Sequence, residues 1–92
     1  MKLPDDTMNN KIQIPLYSLV SLLVDIPKHG LKTGDVATVV EYLQPNGKHP
    51  AGYVCEASNV IGETIAVFSV HAEQVSPLHR NEVFHVRALA AA

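Results

Sequence analysis

The 92 residues suffice for one small domain. Hydrophobic residues make up 47% of the chain and charged residues only 17%, which is more apolar material than a lone domain of this size hides easily. We therefore expect either a well-filled core or an apolar face turned toward another copy or another protein. The net charge of −2 and the scattered basic residues disfavour nucleic-acid binding, which depends on a basic patch.

Cysteine content and the N-terminal sequence indicate the cellular compartment of the protein. Cys55 is the sole cysteine, so an intramolecular disulfide is impossible, as suits a reducing cytoplasm. The opening residues turn acidic at Asp5 and lack the apolar region of a signal peptide. The longest apolar stretch, around Leu16–Leu23, is too short to span a bilayer. We expect a cytoplasmic protein with no membrane partner.

The composition divides the chain into three segments. Residues 1–13 predict a flexible N-terminal segment, residues 14–88 a single domain, and residues 89–92 an alanine-rich tail. The first ordered element is Leu16–Ile26, whose apolar spacing permits a helix. Its two serines and its stop at Pro27 favour a strand instead.

An ordered loop and a clear strand come next. The loop is Pro27–Asp35, in which Gly30 and Gly34 allow turns with positive φ. Leu31, between the two glycines, is predicted to anchor the loop in the core. The strand is Val36–Leu43, which is rich in β-branched residues and unbroken.

Two turns frame the following strand. Gln44–Gly52 contains an Asn-Gly pair typical of hairpins, and Ser58–Glu63 forms the second turn. Between them lies the predicted strand Tyr53–Ala57, on which alternate side chains share a face. Cys55 lies on the same face as Tyr53 and Ala57, the first and last residues of this strand.

The strand Thr64–Val70 is apolar on both faces, with Ile65 and Val67 on one face and Ala66, Phe68 and Val70 on the other. Such a strand is covered on both sides. In a one-layer barrel the outer cover has to come from elsewhere, and a second subunit is the economical source.

The last elements are short. His71–Gln74 suits a single helical turn, and Val75–Leu78 returns toward the core. Val83–Leu89 alternates between two faces and is predicted to be the final strand. Short β-segments separated by turns, without the spacing of βαβ units, predict an antiparallel barrel or sandwich.

A run of motifs carries a family resemblance. Leu22–Pro27, Gly30–Asp35 and Thr38–Glu41 follow one another, and Gly62–Ala66 and Asn81–Arg87 come later. With them the chain resembles, over about residues 16–88, an uncharacterised family of small bacterial domains, domain of unknown function 4926. The resemblance implies a mostly-β fold, a small antiparallel SH3-like barrel of about five to six strands with a short helical turn. It brings no catalytic or binding residue. Ala37 stands where the family usually has glycine, so we expect ordinary β backbone there.

Candidate catalytic and metal-binding groups are sparse. The five histidines form no tight pair, and we interpret them as surface residues; His79 with His85 is the best available metal pair. Cys55 is interpreted as a small buried hydrophobe, since nothing marks an adjacent base. No two carboxylates form an evident acid–base couple. We therefore expect no enzyme activity and no cofactor.

Three tyrosines, Tyr17, Tyr42 and Tyr53, offer a thin basis for an aromatic peptide groove. We favour rings in the core with hydroxyls at the rim. The ending Ala88–Ala92 resembles the Ala-Leu-Ala-Ala end of bacterial rescue tags that direct proteins to proteases, although a chance alanine-rich end is favoured.

These observations predict a non-enzymatic protein-interaction or self-association module that forms a homo-oligomer and has a possible protein partner. The alternative is a barrel that binds a small ligand or nucleic acid. The candidate interface comprises the apolar residues of the last two predicted strands, Ala66, Phe68, Val70, Val83, Phe84 and Val86.

Overall fold

The computed structural model describes residues 13–89. The predicted N-terminal segment, except Gln13, and the last three alanines of the predicted tail lie outside the described residues, and with them the proposed degradation signal. The ordered elements are β1 (Leu19–Leu22), a first 3-10 turn (Pro27–His29), β2 (Val36–Leu43), β3 (Gly52–Ser58), β4 (Thr64–His71), a second 3-10 turn (Ala72–Gln74) and β5 (Val75–Pro77).

All five strands belong to one antiparallel sheet in the order β4-β3-β2-β1-β5. In a flat sheet the two outer strands would lie about 19 Å apart, four strand spacings of ~4.8 Å. Here they are consecutive in the chain and joined by the three residues Ala72–Gln74, which span only about 6 Å as a 3-10 turn. The sheet is therefore strongly bent. It remains open, because β4 and β5 do not pair within the described chain.

The concave face of the bent sheet holds the core. Val20, Leu22, Val39 and Cys55 are fully buried there. The remaining core residues come from the other four strands and from the Pro27–Asp35 loop: Leu31, Ala37, Tyr53, Ala57, Ala66, Phe68, Val70 and Val75. Register shifts between Val39 and Glu41 and between Ala57 and Ser58 mark two bulges, which increase the local twist.

Most of the predicted elements are confirmed. A mostly-β antiparallel fold is present, β2 has the predicted bounds, and Leu19–Leu22 is a strand, not a helix. Leu31 is only 3% exposed, so it does anchor its loop. Gly30 and Gly34 have φ of 70° and 94°, which an L-residue rarely adopts.

The predicted strand Val83–Leu89 is wrong. These residues have no strand assignment, and Val83 is 93% exposed. Alternation makes a segment able to pair, but pairing needs a neighbouring strand with free backbone groups. β5, the strand that precedes this segment, is short and ends at Pro77, whose missing N–H lies on the outer edge where a further strand would pair.

Three of the six residues of the candidate interface lie elsewhere than expected. Ala66, Phe68 and Val70 are buried in the core of their own chain, opposite β3, and so cannot form an outer face. The exposed face of β4 carries Ile65 and Val67 instead. Both faces of this strand are apolar, so the sequence pattern alone does not tell which one faces inward.

Gly52 yields a prediction for the fold. A Cβ at this position would collide with the carbonyl oxygen of Val70 on the neighbouring strand. We expect Gly52→Ala to lower the free energy of unfolding by about 3 kcal/mol, measured by urea denaturation. Gly47→Ala is the control: φ is 57° there but the space is open, and the expected loss is about 1 kcal/mol. Equal losses would contradict this explanation.

Candidate interaction surfaces

Carboxylate side chains fix the loop between β1 and β2. Asp25 accepts hydrogen bonds from the backbone N–H of Thr33 at 2.8 Å and from its hydroxyl at 3.0 Å. These two bonds lower the pKa of Asp25. Asp35 in turn accepts the backbone N–H of Lys32 at 2.7 Å. The loop is thereby held in one conformation, with the Asp35 carboxylate in a fixed position.

Arg87 binds this carboxylate across 52 positions of sequence. Its Nε donates to Oδ1 of Asp35 at 2.8 Å and its Nη2 donates to Oδ2, a bidentate pair. Nη2 also donates to the carbonyl oxygen of Gly30 at 3.0 Å. The hydrogen bond from Arg87 is the main reason that the pKa of Asp35 is lowered, and burial opposes it. Sequence reasoning missed this pair, because nothing local links the two residues.

Residues 78–89 form what we call the strap. At its start the N–H of Leu78 donates to the carbonyl oxygen of Leu19 at 3.2 Å, and near its end Arg87 binds Asp35. Between these two attachments the side chains of Val83, Phe84 and Val86 are exposed. The second half of the candidate interface therefore does lie on the surface.

A groove of about 720 Å³ separates the strap from the outer side of the sheet. Its volume lies within the range of ligand-sized clefts. One wall comes from the strap and the other from β1, β2 and the residues before them; its lining is Pro15, Ser18, Leu19, Ser21, Gly34, Val36, Pro77, Leu78, His79, Arg80, Glu82, Val83, Phe84 and His85.

The second surface is the free edge of β4. The N–H of Ala72 donates to the carbonyl oxygen of Ala51, which makes Gly52 and His71 a pair without direct hydrogen bonds. Alternation along the ladder then directs the N–H and C=O groups of Val67 and Ser69 away from β3. The N–H of His71 points the same way, and the side chain of Gln74 accepts it at 2.8 Å.

Exposed apolar side chains accompany this edge. Ile65 and Val67 lie on its outer face, and Val60 and Ile61 lie at the tip of the β3–β4 hairpin. We call these four residues the edge patch. Exposed clusters of apolar residues mark binding surfaces more often than scattered single ones.

Cys55 and the candidate metal pair, His79 and His85, lie in different parts of the structure. Cys55 is fully buried, as predicted, and burial raises the pKa of its thiol to about 11. His79 and His85 both line the groove, but residues 13–89 contain no cluster of three potential ligands able to hold a metal ion.

Two of the three tyrosines have rings that pack in or against the core. The Tyr53 ring is buried and its hydroxyl accepts the N–H of Ile14 at 2.9 Å, while Tyr42 packs against it with ring centroids 5.6 Å apart. These two fit the prediction of rings in the core. Tyr17 does not: it is 73% exposed and adopts φ of 68°, which costs a non-glycine residue energy.

The fold and these surfaces define a small antiparallel β domain with a bent, open sheet. The family model described as "Domain of unknown function (DUF4926)" matches residues 16–77, so the chain belongs to this family. The match ends before the strap, and Asn81–Arg87 lie outside it. Neither the curated proteins nor the solved structures contain a match to the chain. Within residues 13–89 we find no helix with the length and apolarity that crossing a membrane requires.

The burial of Cys55 predicts its reactivity. With a pKa of about 11 and no access to solvent, the thiol is neither ionised nor reachable at pH 8. We expect iodoacetamide to label the folded protein slowly and the urea-unfolded protein fast, as followed by mass spectrometry. Equal labelling rates in the two states would contradict the burial.

The Arg87–Asp35 pair leads to a prediction about the titration of the Asp35 carboxyl. The pKa of Asp35 is lowered in the folded chain, so the pair contributes stability above the unfolded-state pKa of about 3.9 and loses it as the pH falls through the folded value. We expect Arg87→Ala to raise the pKa of Asp35, measured by carboxyl NMR. Asp25, which Thr33 holds, is the internal control and should keep its lowered pKa. An unmoved Asp35 pKa would refute the pairing.

Proposed function

We propose that this chain is a non-enzymatic interaction module that self-associates, with two copies pairing through the free edge of β4. The observation that carries the proposal is this edge: the backbone groups of Val67 and Ser69, which have no backbone partner within residues 13–89, beside the exposed edge patch. A free edge with apolar side chains is a template for another strand.

The edge is complementary to itself. When two β4 strands meet antiparallel about a two-fold axis near Phe68, Val67 of one copy lies opposite Ser69 of the other. Both residues direct an N–H and a C=O outward, so the two pairs exchange four hydrogen bonds. The bulge near Ile65 and the Gln74 cap on His71 limit the paired stretch to the middle of the strand.

The short contact implies a weak dimer. Burying the side chain of Val67 in each copy contributes roughly 2 kcal/mol, and the ordering of two molecules opposes it. We therefore propose a dimer that forms only at high protein concentration, and a protein partner with a better-matched strand would bind more tightly.

Other features support a role without catalysis. The sole thiol is buried and un-ionised, and the two carboxylates with lowered pKa values, Asp25 and Asp35, are engaged in hydrogen bonds that hold the loop. The basic residues form no cluster in sequence that would favour nucleic acid. A buried free thiol is also compatible with the reducing cytoplasm, where we place the protein.

A charge on the edge patch tests the proposal. Val67→Lys places a cation within the proposed contact, opposite Ser69 of the other copy and diagonal to its symmetry mate, and we expect it to convert the dimer to a monomer of 10.0 kDa in sedimentation over protein concentrations up to about 1 mM. Leu23→Lys is the matched control: Leu23 is 50% exposed, against 53% for Val67, and lies outside β4. A monomeric wild type, or equal effects of the two changes, would refute pairing through β4.

A further inference from the structure

The strap has few attachments to the sheet. From His79 to Val86, the backbone hydrogen bonds within the described residues are internal: the N–H of Glu82 donates to the carbonyl oxygen of His79, and the N–H of His79 donates to the Glu82 side chain. Its large apolar side chains are exposed, so burial does little to hold it. The attachments are therefore Leu78 at one end and Arg87 at the other.

Below the strap lies the outer side of β1 and β2. Leu19 and Val36 belong to the sheet wall of the groove, while Val83 and Phe84 belong to the strap wall. The groove exists because the strap is held at a distance across this side of the sheet. If the strap leaves, the groove loses a wall and Leu19 and Val36 become part of an open surface.

The loop that binds Arg87 is held in place by its own hydrogen bonds. The Lys32 N–H fixes the Asp35 carboxylate, and the bonds of Asp25 to Thr33 fix the loop around it. Only the side chain of Arg87 has to be ordered for the pair to form. The two side chains are 28% and 19% exposed, so dissolved ions have partial access to the pair and weaken it, though less than they would a fully exposed pair.

We propose that the Arg87–Asp35 pair is a salt-sensitive latch. When closed, it holds the strap across the outer side of β1 and β2; when open, it releases residues 79–89 and uncovers Leu19 and Val36. The latch is independent of the β4 edge, and therefore of the proposed self-association.

Limited trypsin digestion of the full chain measures the opening. Arg80 lies within the strap, and cleavage after it is expected to be faster when the strap is free to adopt the extended conformation that trypsin binds. We expect Arg87→Ala to speed cleavage after Arg80 about tenfold, in line with the loss of charge-assisted hydrogen bonds. Arg87→Lys should be intermediate, because lysine keeps the charge but not the bidentate geometry.

Two controls separate a latch from a general support of the fold. Glu63→Gln removes a carboxylate charge at the β3–β4 turn, away from Arg87, so it should leave cleavage after Arg80 nearly unchanged. Raising NaCl from about 0.05 M to about 1 M should speed cleavage of the wild type relative to Arg87→Ala.

Amide hydrogen exchange reports on global opening. The amides of β3, the centre of the core, should stay protected in Arg87→Ala while those of the strap exchange faster. Equal cleavage of wild type and Arg87→Ala would overturn the latch. So would a loss of β3 protection in that variant, because the pair would then support the whole fold, or an equal acceleration by Glu63→Gln.

Discussion

The structure depends on one short connection. Ala72–Gln74 joins the two strands that stand at opposite ends of the sheet order, and three residues cannot cross the width of a flat sheet. The sheet has to bend until its edges approach each other. That bend creates the concave side on which the core residues meet, and residues 13–89 supply no second layer of strands or helices on the convex side.

Because the described residues form no second layer, different parts of the convex side are covered to different extents. Over β1 and β2 the strap supplies a partial cover, held through Arg87 to a loop that Asp25 and Asp35 keep rigid. Over β3 and β4 no cover lies within the described residues, and the edge patch is exposed. The two surfaces thus arise from one cause, and they differ in whether the chain itself provides the covering segment.

Local patterns predicted what is locally determined. The β-branched run Val36–Leu43, the glycines at 30 and 34 and the anchor Leu31 each act through their own backbone preference or burial, and the structure has them as expected. The alternation of Tyr53–Ala57 likewise placed Cys55 on the buried face.

Long-range features escaped prediction. Alternation in Val83–Leu89 implied a strand, but pairing depends on an available edge, which β5 ends too soon to supply. The pairing of β4 with β3 decides which face of β4 points inward. Ala66, Phe68 and Val70, predicted to form the interface, therefore lie in the core, and Ile65 and Val67 lie on the exposed face. Arg87 and Asp35 come together only in the folded chain, and the groove exists only once they do.

The two outer strands are unequal in a way that limits growth of the sheet. β4 has eight residues, whereas β5 has three and ends at Pro77. The bonds from Leu78 to Leu19 and from Leu23 to Gln74 direct the outward backbone positions of β5 to Val75 and Pro77, and proline has no N–H to offer there. The edge of β5 therefore offers fewer hydrogen-bonding groups to a further strand than the edge of β4. A sheet with one long edge and one short, proline-containing edge disfavours growth into a fibre, which requires two receptive edges in every copy.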